Sequence, residues 1–427
     1  MESANAPDHD FPVQNLPWGV FSTPARGPRV GVAIGDQVFD IAEANQAGFF
    51  TGLAKVAADA AMGRSLNPLM ALGLPAASAL RGQLFDLLAS GDGSAVANVR
   101  ELAQQLLVPQ AEVSMQLPAV IGGFTDFLTS IDHLSRARRS THPDNPVPEA
   151  FFHLPLAYNS RASSVRASGH DVRRPNGQSK APDGSMYFGP TKALDFELEL
   201  GAFIGPGNAL GSPVPVQAAR GQLFGYCLLN DWSARDIQRW ETTPLGPFLG
   251  KSFCSVVSPW VVFAEALAPF RTPARLRAAG EPAPLPYLND GEDASSGGMD
   301  LQLDAWLTSE SMRSRGLAPI RVTHSNFKHM YWTFAQMVAH HTSNGCDLRP
   351  GDLIGSGTVS GPGGESRGCL AEFHEPLLLP DGSRRQWLLD GDELVFSAHA
   401  RKPGHVSIGF GECRSMVLPA SPWPMAG

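Results

Sequence analysis

The sequence predicts an α+β fold, mostly β, in a smaller N-terminal part and a larger C-terminal part. Three observations predict it. The chain has 427 residues with 44 Gly and 36 Pro, while charged residues reach only 17%. Ordinary domains carry roughly 25% charged residues and about 12% Gly plus Pro, and unperiodic disorder needs about 25% or more of the latter. The Gly/Pro surplus therefore marks many tight turns, and the low charge argues against a helical bundle. A hydrophobic share of 43% supplies a real core. Last, the pattern changes near residue 118, from helical spacing to short runs broken by turns.

In chain order, residues 11–45 read as a hairpin. Arg29-Val-Gly-Val-Ala-Ile and Gln37-Val-Phe-Asp flank the turn Gly35-Asp36. Residues 66–107 turn helical, with apolar spacings of three and four over Ala76–Leu87 and Ala95–Leu107. Leu117-Pro118 reads as the joint, giving a first domain over 1–117 and a second over 118–427. Beyond it, Phe196–Ile204 and Val406-Ser-Ile alternate with period two, and Leu394-Val-Phe reads as a buried strand. Val216–Gln222 and Asn326–His341 are expected helices, the second stopped by Asn344-Gly345. Residues 279–299 read as a polar solvated loop, since Asn289-Asp-Gly-Glu-Asp lacks EF-hand spacing.

Composition also bounds function. A net charge of −8 disfavours a binder of phosphate backbones. The first residues are polar and acidic, unlike a secretory signal, and no run nears the roughly 18 apolar residues of a membrane span. The five cysteines, Cys227, Cys254, Cys346, Cys369 and Cys413, are odd in number, widely spaced and lack Cys-x-x-Cys. A disulfide framework or thiolate zinc site is not expected, and a reduced, cytoplasmic setting is.

Chemistry concentrates in a few places. Glu197 and Glu199 share one face of an otherwise apolar strand. Two like charges so close call for a cation, and a hard divalent ion takes several oxygen ligands. An exposed edge strand with two solvated glutamates is the competing reading. Asp126 and Asp231 also sit among apolar neighbours, where a helix cap or turn is the plain alternative. Lys251 follows Pro244-Leu-Gly-Pro-Phe-Leu-Gly. Only three residues separate Gly246 and Gly250, and Pro247 lacks an N–H, so this is no P-loop. Gly351–Pro362 contains no Gly-x-Ser-x-Gly and opens no helix, leaving a backbone-close substrate loop or a stack of turns. His133 reads as a general base or a surface histidine. His340 and His341 at a helix end read as structural.

These segments together resemble one family. Asn230-Asp-Trp-Ser-Ala-Arg-Asp-Ile-Gln-Arg-Trp-Glu, Pro244–Phe253, Leu194-Asp-Phe-Glu-Leu-Glu, Asn326-Phe-Lys-His-Met-Tyr-Trp-Thr and Gly355-Ser-Gly-Thr resemble the fumarylacetoacetase (fumarylacetoacetate hydrolase) family over nearly the whole chain. The resemblance implies a small SH3-like barrel domain, a large mixed β-roll domain and a homodimer. It implies hydrolysis of a carbon–carbon bond in a 1,3-diketo acid, 4-fumarylacetoacetate to fumarate and acetoacetate, the last step of tyrosine and phenylalanine (homogentisate) breakdown. By the same resemblance Asp126, Glu197, Glu199 and Asp231 hold the cation. All-oxygen ligands favour Mg2+ or Ca2+ and admit Mn2+. His133 is the general base oriented by Glu372; Arg235, Gln238 and Lys251 are oxyanion donors; Tyr158, Gln238 and Thr358 contact substrate. A second, structural metal position falls on Asp231, Lys251 and Ser255.

Departures from the family pattern fall in the substrate shell. Leu128 and Thr242 stand where the resemblance implies substrate-contacting tyrosines, and Arg136, Arg138 and Arg139 are alternative partners for a substrate carboxylate. A related hydrolase for a different acylpyruvate or diketo acid is therefore the alternative expectation. No nucleic-acid or membrane partner is expected.

Overall fold

The structure, a computed structural model, describes residues 3–89, 99, 101–139 and 142–423. The expected hairpin is present: Arg26–Ile34 pairs antiparallel with Gln37–Asp40, and Gly35 turns at φ +54°. These strands belong to a five-stranded antiparallel sheet in the order Leu107–Pro109, Gln37–Asp40, Arg26–Ile34, Trp18–Thr23, Ser114–Gln116. Helices Gly52–Ala60 and Leu74–Leu88 pack beside it. Residues 95–98 and 100 of the second expected helix lie outside the described residues; its described end is the short helix Ala103–Leu106.

The larger part is built on an eight-stranded mixed sheet. Leu198–Ile204 lies at its centre between Leu223–Asp231 and Leu353–Gly355, and Phe124–Leu128 runs parallel to Leu353–Gly355. A five-stranded sheet, including Gln302–Thr308, Glu393–Ala400 and Ile408–Leu418, covers one face. Leu200, Ala202 and Leu228 point into the core between the two sheets. Phe203 and Leu229 face the other way, into a core shared with Leu69 and Leu80 of the N-terminal part. Leu198–Ile204 is therefore buried along its whole length, which excludes the exposed-edge reading of the glutamates.

Four expectations need correction. Asn326–His341 is not one helix. The side chain of Asn326 caps a 3-10 turn, Phe327–His329, and the helix Phe334–Thr342 starts only where Thr333 and Gln336 form a reciprocal capping box. Glu393–Ala400 alternates buried with half-buried positions because only one of its faces meets the core. Val406 is exposed, and its strand begins at Ile408. The 279–299 stretch carries a helix, Gly291–Ser296, capped by Asp290.

Candidate active site

Glu197 sits in a two-residue break between the strands Leu194–Asp195 and Leu198–Ile204, where the Asn230 side chain accepts its N–H at 3.2 Å. Glu199 follows two residues later on the same face. Asp231 ends the strand Leu223–Asp231, and Asp126 lies in Phe124–Leu128. Neither aspartate caps a helix. All four are at most 5% exposed, and each offers an oxygen within 4.8 Å of the others'.

Such a cluster has an excess of charge. Four carboxylates face two cations, Lys251 and Arg235. Lys251 Nζ reaches Asp231 Oδ2 at 2.9 Å and also bonds Glu197. Arg235 Nη1 reaches Glu197 Oε1 at 2.8 Å. Burial pushes Glu197 upward, but these two cations outweigh it and hold its carboxyl below the ordinary range. Asp126 and Glu199 lack such help. Burial, then the charge of Asp231, pushes Asp126 up to about 8; burial, then Asp126 itself, pushes Glu199 up as well. Asp126 Oδ1 and Glu199 Oε1 are buried without a hydrogen-bond partner. Orphaned oxygens in one buried cluster, which would carry two uncompensated negative charges if all four carboxyls ionised, fit a hard divalent cation. The backbone leaves room for one: a Cβ on Gly355 would stand 2.5 Å from Asp126 Oδ1 and 3.1 Å from Glu199 Oε2.

Asp231 is further tied. Oδ1 accepts from Ser255 at 2.6 Å, and Oδ2 accepts from Tyr158 at 2.7 Å as well as from Lys251. Lys251 and Ser255 thus act as donors to Asp231. Lys251 reaches the site on the short helix Leu249–Ser252. Gly250 permits its approach, since a Cβ there would lie 2.7 Å from the Gln238 backbone.

The surroundings of His133, the expected base, are equally built. Ser130 caps the helix Ile131–Ala137 by accepting from the His133 N–H at 3.1 Å, and His133 is buried. His133 Nδ1 lies 2.8 Å from Glu372 Oε1, so a proton on Nδ1 leaves Nε2 unprotonated. Burial raises the Glu372 pKa, yet His133, Ser360 and Arg136 more than offset this and lower it. Arg136 is committed to the protein: it meets Glu372 at 3.1 Å and the carbonyls of Gly361, Pro362 and Gly363. Ser360, Arg136's bracing role and Cys369, whose Sγ is 3.6 Å from Glu372, were absent from the sequence reading of the base.

Among the residues expected near the substrate, Arg235 Nη2 is buried and unpaired, and Nη1 also donates to Gln238 Oε1 at 3.2 Å. Thr358 is buried in the loop after Leu353–Gly355, where Gly357 (φ +74°) donates its N–H to Glu199. Leu128 packs against the core. Thr242 is exposed, its hydroxyl spent on the Gln238 carbonyl at 2.5 Å. A hollow of about 200 Å³ lined by Tyr158, Phe248 and Lys251 opens toward the site. A larger hollow, of about 560 Å³ beside Ala4–His9, lies away from this cluster.

Residues 14–118 match the family model described as fumarylacetoacetase N-terminal, and residues 123–418 match fumarylacetoacetate (FAA) hydrolase C-terminal. The chain belongs to the fumarylacetoacetase family. Among its relatives in the family, a fumarylacetoacetase of Oryza sativa subsp. japonica is 43% identical over 98% of this chain and 96% of the relative. One of Homo sapiens is 44% identical over 97% and 98%, and one of Caenorhabditis elegans 45% over 96% and 97%. A solved fumarylacetoacetate hydrolase from Exiguobacterium antarcticum aligns over 95% of this chain and 99% of its own, with a TM-score of 0.51 and 16% identity, a likeness of fold alone.

Proposed function

We propose that this chain hydrolyses 4-fumarylacetoacetate to fumarate and acetoacetate with a divalent cation. It is a hydrolase acting on carbon–carbon bonds; relatives 43–45% identical over nearly its whole length are fumarylacetoacetases. One observation carries the reading within the chain: four buried carboxylates with two orphaned oxygens stand beside a braced His–Glu pair and an unpaired arginine N–H.

Asp126, Glu197, Glu199 and Asp231 would hold the cation. When bound, it supplies Lewis-acid polarisation of a 1,3-diketo group. His133 takes a proton from water at Nε2, while Glu372 keeps the ring oriented and stabilises its charged form. The water oxygen adds to the carbonyl beside the scissile bond. That bond's electron pair departs with the acetoacetate carbon, which takes up a proton. Arg235 Nη2 donates to the oxyanion, with Gln238 and Lys251 beside it; one such donor is worth about 10²–10³ in rate. Tyr158 and Thr358 line the substrate's place.

The ion assignment, Mg2+ or Ca2+ with Mn2+ admitted, rests on the all-oxygen ligand set. A second, structural metal position near Asp231, Lys251 and Ser255, an SH3-like barrel for the N-terminal sheet and a homodimer are proposals that rest on the family resemblance. A domain division at 117–118 rests on the change of pattern there, and a cytoplasmic setting on the sparse, unpaired cysteines. The two family matches meeting between residues 118 and 123 support the division. Among the described residues no helix is long and apolar enough to cross a membrane.

A second reading, a different diketo acid as substrate, is favoured by Leu128 and Thr242. One has no hydroxyl and the other has spent its own, so neither offers one to fumarylacetoacetate. The test of the mechanism is His133→Ala. Turnover should fall by about 10³-fold or more with divalent-ion affinity within about threefold of the parent; near-parental turnover would sink the base assignment.

A further inference from the structure

Asp195 is fully buried between the two halves of the site. Its Oδ1 accepts from the N–H groups of Phe196 at 2.9 Å and Leu370 at 2.7 Å. Its Oδ2 accepts from the Ala371 N–H at 3.1 Å and from Arg235 Nε at 2.8 Å. Leu370 and Ala371 open the 3-10 turn that ends in Glu372. One carboxylate therefore grips both the turn that carries the partner of His133 and the guanidinium of Arg235. Its grip on Nε also decides which arginine N–H is left over. Nη1 is taken by Glu197 and Gln238, so Nη2 alone remains, buried and unpaired. A carboxylate with four donors is worth far more as a fixed strut than a neutral side chain, because charge-assisted bonds are roughly twice as strong.

We propose that Asp195 is the positioning residue that holds the general-base pair and the oxyanion donor in one fixed relation. The assignment rests on reading His133–Glu372 as the base and Arg235 as the donor. Asp195→Asn keeps the shape but replaces one acceptor oxygen by a donor, which cannot serve both the turn and the guanidinium. Its kcat should fall about 10²-fold, the scale of losing one aimed donor. KM and divalent-ion affinity should stay within threefold of the parent values. The double variant D195N/R235K should be no slower than the slower single, because both remove the same alignment. Parental kcat in D195N overturns the proposal. So does a kcat loss matched by an equal loss of ion affinity, or multiplicative losses in the double variant, since either marks a merely structural aspartate. His133→Ala separates the two levels. Turnover surviving in H133A fails the underlying base reading. H133A inactive alongside a fully active D195N fails the Asp195 assignment alone. Should D195N not fold, amide exchange in the unaltered protein decides. Leu370 and Ala371 should be protected at least 10²-fold more than Gly364; equal exchange overturns the clamp.

Discussion

At the scale of single residues, the site is defined by carboxylates that cannot all be charged together. Asp126, raised to about 8, binds its proton more tightly in the folded chain than in the unfolded one. A raised carboxyl contributes stability at low pH that is lost as pH rises from about 4 through 8. Glu199, raised too, acts in the same direction; Glu197 and Glu372, lowered, act in the opposite direction and only below the ordinary carboxylate range. A bound divalent ion needs the charged forms and relieves the penalty. The rise in Tm on adding Mg2+ should therefore grow as pH increases from about 5.5 to 8 in thermal unfolding scans; an ion effect independent of pH would contradict this. Glu197 and Glu199 stood out in the sequence because two charges on one face of an apolar strand break the expected pattern, whereas Asp126 and Asp231 suited a cap or turn until the family resemblance grouped all four. Asp195 and Ser360 did not stand out, because an aspartate before a strand and a serine in a loop violate nothing. Their meaning lies in partners brought close by the fold: Leu370 is 175 residues from Asp195 in the chain.

At the scale of elements, the loops and breaks around the sheet position the chemistry. The strand Leu353–Gly355 ends on a glycine whose missing side chain leaves space over Asp126 and Glu199. Gly355→Ala would place a methyl at 2.5 Å from Asp126 Oδ1, closer than real contacts allow, in a backbone buried on both sides. Divalent-ion affinity measured by titration calorimetry should drop at least tenfold, about 1.4 kcal/mol, with the chain still folded; unchanged affinity would remove Gly355 from the site. The sequence made this loop visible by its glycine density but left a stack of turns equally open. The first hairpin and Leu74–Leu88 were legible from local signals alone. The start of Phe334–Thr342 was not, because the Asn326 cap and the Thr333–Gln336 box both suit a helix start and only the second begins a full helix. Burial of Leu198–Ile204 on both faces was likewise hidden, since it depends on the N-terminal part covering Phe203.

At the scale of the whole molecule, the N-terminal part and the five-stranded sheet bury opposite faces of the central sheet. The four carboxylates lie enclosed within this stack, each at most 5% exposed. The surplus of glycine and proline has a place in that setting: turns such as Thr242–Gly250 and Gly355–Ser360 bring lysine, threonine and backbone N–H groups to the ends of the central strands. Fold class and two-part organisation were readable from composition and pattern, and the activity from the motifs of the family. Leu128 and Thr242, proposed as altered substrate contacts, bear on substrate choice, which is a property of the assembled pocket. The most direct test of the central claim follows the loss of fumarylacetoacetate by this protein after a chelator, and again after Mg2+ or Ca2+ is restored, beside simpler diketo acids. Turnover that vanishes with the chelator, returns with the ion and favours fumarylacetoacetate in kcat/KM is the predicted result. Full activity in the chelator would contradict the metal-dependent mechanism, and a clear preference for the simpler acids would contradict fumarylacetoacetate as the substrate.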